Sequence, residues 1–180
     1  MKAFFVPVVR RAFGELGLGE GEIVAYVTDV LASFARAEQL YRLRSLEGKR
    51  IDSVVEMIGN LIDVPAGRAG IERQRAARKY VGDYALFMSG MFRSHVVRGG
   101  YLDFYLREGS RSYWTVSELD VSLYRTGFLL FQELSKKFEF YSGALDYLRQ
   151  AYFAPSPGHD PFADFLRQVD GWTRVGMSNN

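Results

Sequence analysis

The stretch from Gly70 to Phe92, "GIERQRAARKYVGDYALFMSGMF", constrains the fold of this chain more than any other. It contains no proline. Its first half is charged and its second half is apolar almost all round. A helix that is apolar all round has to be enclosed by other elements. Residues 70–92 are therefore expected to form one long helix that enters the core from the surface. Gly82, Ala85 and Ser89 recur on one face of it, and small residues let a neighbouring helix approach closely.

Asp83 interrupts the apolar half. Its nearest neighbours on the helix surface are Lys79, Leu86, Phe87 and Gly90, so no polar face shelters it. Burying an unpaired carboxylate is costly, so the fold must pair it, hydrogen-bond it or leave it at a cleft. Lys79 at i−4 is one expected partner, and Arg107 or Arg111 on the following helix is another.

The remaining periodicity is helical too. Val8, Val9, Ala12, Phe13 and Leu16 mark a short N-terminal helix or arm within residues 1–20, closed by the glycine-dense "GLGEGE". Ile23, Val27, Val30, Leu31 and Phe34 form the stripe of a second helix. Asp52 or Ser53 is placed to cap a third, with Val54, Val55, Ile58, Leu61 and Ile62 on its apolar side. "RSHVVRGG" reads as a connection. Tyr101 to Trp114 read as a helix continuous through Gly109. "ELDVSLYRTGFLLFQELSKKF" reads as one further helix with a wide apolar face. A short helix is expected after Ser142. Asp160 followed by Pro161 reads as an N-cap and first helical position. Residues 171–180 read as a fraying tail.

No stretch alternates like a strand beside hairpin turns, and no repeat or sustained heptad occurs. The expected architecture is all-α: residues 1–180 as a single irregular helical bundle of about seven helices around the 70–92 helix. A chain of 180 residues can bury a core without staples.

Several kinds of chemistry fall away. There is no cysteine, which removes thiolate catalysis, disulfides and iron–sulfur ligation. His95 and His159 are the two histidines, and neither has a glutamate three residues before it, as a di-iron bundle requires. No His-Glu-x-x-His motif, phosphate loop or Gly-x-Ser-x-Gly elbow is present. No catalytic residue, metal ligand or cofactor is expected. In "MKAFFVPVVRRAFGELG", Pro7 and the Arg10–Arg11 pair interrupt the apolar run, which argues against a secretory signal. No apolar run is long enough for a membrane span. A soluble, cytoplasmic protein is the expectation.

The formal charge of +2 does not by itself imply a nucleic-acid partner. Arg68, Arg73, Arg75, Arg78 and Lys79 are dense, and residues 36–111 carry an excess of about +5 against about −3 elsewhere. That asymmetry permits an anion site, against the plainer reading of a solvated face in which Glu72 pairs with Arg75. "LIDVPAGRAGIERQRAARK" accommodates a loose helix-turn-helix, but the small net charge weighs against DNA binding.

Aromatic residues make up 15% of the chain. They can build a core or line a pocket. If the 101–114 helix faces the 70–92 helix, Asp83, Tyr84, Phe87, Tyr105, Arg111 and Tyr113 converge. These six are the candidate ligand-binding residues. The stretches "KYVGDYALFMSGMF" and "YLDFYLREGSRSYW" resemble segments of uncharacterised bacterial all-helical proteins of no assigned function. The resemblance covers the middle of the chain and implies no activity, cofactor or site residue.

The leading expectation is a non-catalytic protein binding a small ligand or a protein partner, homo-oligomerisation included. The alternatives are an enzyme using Asp83 as a base with tyrosine or arginine support, and a nucleic-acid-binding regulator.

Overall fold

A computed structural model describes residues 1–18, 21–36, 67–153 and 158–178. Among these residues every regular element is a helix: α1 (Lys2–Glu15), α2 (Glu22–Phe34), α3 (Arg68–Met91), α4 (Arg93–Arg98), α5 (Leu102–Ser122), α6 (Phe128–Lys136), α7 (Phe138–Tyr152) and α8 (Pro161–Ser178). The fold is all-α. The expected helix over Val54–Ile62, its Asp52 or Ser53 cap and the first part of the helix-turn-helix stretch lie outside the described residues. No described helix is long and apolar enough to cross a membrane.

Tertiary contacts group into two compact units, and the division falls within α7. The first comprises Met1–Ser45 and Ala144–Asn180. Its interior uses Phe5, Val9 and Phe13 of α1, Val27 and Leu31 of α2, and Phe162, Phe165 and Val169 of α8. Phe153 joins them, 5.1 Å from the Phe165 ring and 6.4 Å from Phe5. Asp160 caps α8 as expected, its Oδ1 accepting the Phe162 N–H at 3.1 Å ahead of Pro161. The helix then continues to Ser178, through the stretch read as a fraying tail.

The second unit, Leu46–Gly143, is built on α3 and α5. From Val81 to Met91 every residue of α3 is buried, as its apolar composition requires. Its polar contacts with α5 and the segment that follows run in reverse order: Glu72 with Arg125, Arg75 with Asp120, Asp83 with Tyr113. The two helices are therefore antiparallel. The small residues do what their spacing implies. A Cβ on Gly82 would lie 2.6 Å from the Tyr113 ring, and Ser89 Oγ accepts from Ser142 Oγ of α7 at 2.8 Å. α6 is held to α5 by a reciprocal pair: Ser110 Oγ donates to the Ser135 carbonyl at 3.0 Å, and Ser135 Oγ to the Ser110 carbonyl at 2.8 Å.

Three element boundaries differ from the sequence reading. "RSHVVRGG" contains a short helix, α4, because Val96 packs inward and ties the turn down. α7 begins at Phe138 rather than after Ser142. The helix expected from Glu118 to Phe138 is broken: α5 stops at Ser122 and α6 starts at Phe128. The break lies at Tyr124, whose φ of 56° cannot continue a right-handed helix.

Gly109 keeps α5 continuous while Phe138 crosses over it. A Cβ at Gly109 would fall 2.0 Å from Phe138 Cζ. Alanine would gain ~1 kcal/mol of helix propensity, but it must expel a buried ring. Gly109→Ala should therefore destabilise by a net ~1–2 kcal/mol in denaturant unfolding. Unchanged or higher stability would mean that Phe138 moves aside without cost.

Candidate functional site

Asp83 is almost wholly buried and is held from two sides. Lys79 Nζ donates to Oδ2 at 2.7 Å, and Tyr113 Oη donates to Oδ1 at 2.9 Å. Of the two kinds of partner expected, the structure uses the lysine one turn earlier on the same helix. It adds a tyrosine from α5 that can approach because residue 82 has no side chain. Tyr84 lies beside Tyr105, ring centroids 5.9 Å apart, and Phe87 beside Phe92 at 5.5 Å. Tyr84, Phe87, Tyr105 and Tyr113 are all in the core of the second unit, whereas Arg111 is on its surface. The structure thus joins Asp83 to Tyr113 and Tyr84 to Tyr105. It leaves Arg111 on another face of α5.

A buried two-donor ion pair between α3 and α5 involves a residue absent from the candidate set. Asp120 is fully buried, and its carboxylate receives both Nε and Nη2 of Arg75. The Arg75 guanidinium also lies 5.6 Å from the Phe131 ring centroid. Arg75 therefore pairs with Asp120, and Glu72 pairs instead with Arg125, 2.7 Å from Nη2. The signal was in the sequence: Asp120 falls on the same stripe as Tyr105, Gly109, Tyr113 and Val116, all buried.

These two ion pairs brace the turn that ends α5. The Arg125 N–H donates to the Asp120 carbonyl at 2.9 Å and the Tyr124 N–H to the Val121 carbonyl at 3.1 Å. That pair of bonds is a Schellman cap, with Tyr124 in the left-handed position where glycine is usual. Among the described residues the chain makes the same cap at two other places. Gly17 stands there at the end of α1 (φ 64°) and Gly100 at the end of α4 (φ 73°). At the third, a tyrosine accepts a conformation costing a side-chain-bearing residue ~1–2 kcal/mol.

Nothing among the described residues repays that cost through the ring, because Tyr124 is 94% exposed. Val121 is 54% and Leu129 is 63% exposed on either side of it in sequence. Trp114, two turns before Val121 on the same face of α5, is also exposed, its Nε1 donating to Glu118 at 3.1 Å. Sequence reasoning missed this site because apolar periodicity runs unbroken across it. Among the described residues, no group of histidine, aspartate and glutamate side chains is arranged to hold a metal ion.

Comparison with protein-family models, with curated proteins and with solved structures finds no match.

Proposed function

We propose that the protein is a non-catalytic binding protein that engages a protein partner through Tyr124 and its flanking apolar residues. The observation carrying this reading is the breach of a local rule the chain obeys elsewhere. Gly17 and Gly100 take the left-handed cap position, and Tyr124 takes it with its ring in solvent. A residue that costs the fold stability and packs against nothing among the described residues is explained by a contact outside the chain. Tyrosine suits this role: it offers large area, two side-chain torsions and a hydroxyl, and it is enriched at the centres of interfaces. The bracing by Asp120–Arg75 and Arg125–Glu72 holds the ring's backbone in place before binding, which lowers the ordering cost. The complementary surface would be an apolar cleft with a hydrogen-bond acceptor at its base.

The partner can be a second copy of the chain or a different protein. A photo-crosslinking residue at Leu129 and sedimentation across a dilution series separate the two. Tyr124→Ala should abolish the adducts, and any concentration-dependent rise in mass, while leaving the melting temperature nearly unchanged. Adducts and mass that persist in Tyr124→Ala would refute the assignment, as would their absence in the native chain.

A further inference from the structure

The guanidinium of Arg78 is in an unusual position. Its Nε and Nη1 are buried with no hydrogen-bond partner among the described residues. Other arginines of the second unit are satisfied: Arg75 by Asp120, Arg125 by Glu72, Arg93 by Ser142 and Arg98 by the Ser94 carbonyl. Buried N–H donors of a charged group left without acceptors carry a desolvation penalty that native proteins rarely leave standing.

The surroundings add to that penalty. Burial lowers the Arg78 pKa from its ordinary value, and the positive charge of Arg111 lowers it further, with Glu108 acting in the opposite sense. The positive charges of Arg78 on α3 and Arg111 on α5 therefore repel each other. Glu108 is within electrostatic reach, yet it forms no ion pair with Arg78. Ser112, adjacent to Arg111 and one turn after Glu108, is fully buried with its hydroxyl unpartnered. Two guanidinium groups that repel each other, beside buried donors without acceptors, are groups that an anion would satisfy.

We infer that Arg78 and Arg111 form a binding site for an oxyanion, a phosphate or carboxylate group of a small molecule, with the part-buried Arg78 as the anchor and Arg111 as the surface arm. The anion would accept from the orphaned Arg78 donors and screen the two guanidinium groups from each other. The site is separate from the Tyr124 turn.

The test uses the full chain, with inorganic phosphate and acetate as probes and chloride at matched ionic strength as reference. Phosphate or acetate should raise the melting temperature saturably, by ~3–5 °C per tenfold increase in concentration beyond half-saturation. A response to phosphate alone would assign a phosphate group, and a response to acetate as well would assign a carboxylate-tolerant site. Arg78→Gln should raise the melting temperature without probe and abolish the response. Arg111→Gln should weaken the response at least tenfold in concentration. Glu108→Gln should strengthen it, because a competing negative charge is removed. No response beyond that of chloride would overturn the inference. So would an unchanged response in Arg111→Gln and Glu108→Gln, which holds even if Arg78→Gln fails to fold.

Discussion

Asp120→Ala will destabilise the protein by ~3–5 kcal/mol, the cost of removing one partner from a buried ion pair. Asp120 has no solvent access and receives two donors from Arg75. Truncation leaves a guanidinium in the interior without the two acceptor oxygens of Asp120. The position makes the dependence sharper, because a carboxylate in the last turn of α5 is opposed by the helix dipole and relies on Arg75. The carbonyl of the same residue anchors the Schellman cap, so the loss should also loosen the turn carrying Tyr124. Denaturant unfolding measures it. The double variant Arg75→Met/Asp120→Leu should recover most of the loss, since apolar replacement of a whole buried pair is often tolerated. A loss below about 1 kcal/mol for Asp120→Ala would place the pair among surface salt bridges and contradict the packing described.

Tyr113→Phe follows, at ~1.5–3 kcal/mol, the range for a hydrogen bond to a charged group. The ring stays and continues to pack on Gly82, Phe131 and Phe138. What changes is that Asp83 Oδ1 loses its tyrosine donor and the carboxylate depends more on Lys79, whose side chain is about a third exposed. The same unfolding experiment reports it. Tyr113→Phe with Asp83→Asn forms a cycle in which the two losses should be strongly non-additive. Additive losses would mean that the Tyr113 hydroxyl does not hold Asp83.

The parts of this fold that are readable from sequence are those in which one helix speaks for itself. Residues 70–92 read as a central helix because an apolar surface all round leaves no alternative, and α3 is that helix. The Asp160–Pro161 start is readable because a cap is local chemistry. Partners are harder. Periodicity places Arg75 on a face, but its acceptor is 45 residues away and could be chosen only once α3 and α5 were known to be antiparallel. The turn at Tyr124 escapes for a different reason. Glycine is the usual sign of a left-handed cap, and the glycine of "LYRTGF" comes three residues after the position that adopts it. The tyrosine there reads as one more residue of an apolar face. Of the six candidate residues, Asp83, Tyr84, Phe87, Tyr105 and Tyr113 share a core, and Arg111 lies on the surface. Sequence could not say that the core closes over them.

Tyr124 carries the cost of a left-handed backbone, and its ring packs against nothing among the described residues in return. The melting temperature of Tyr124→Gly tests this most directly. Glycine removes the left-handed penalty of ~1–2 kcal/mol and gives back part of that gain through the entropy of the unfolded chain. The expected result is a rise of ~2–4 °C over both the native chain and Tyr124→Ala. A melting temperature below that of the native chain would show that the Tyr124 ring stabilises the fold and would contradict its assignment to a partner.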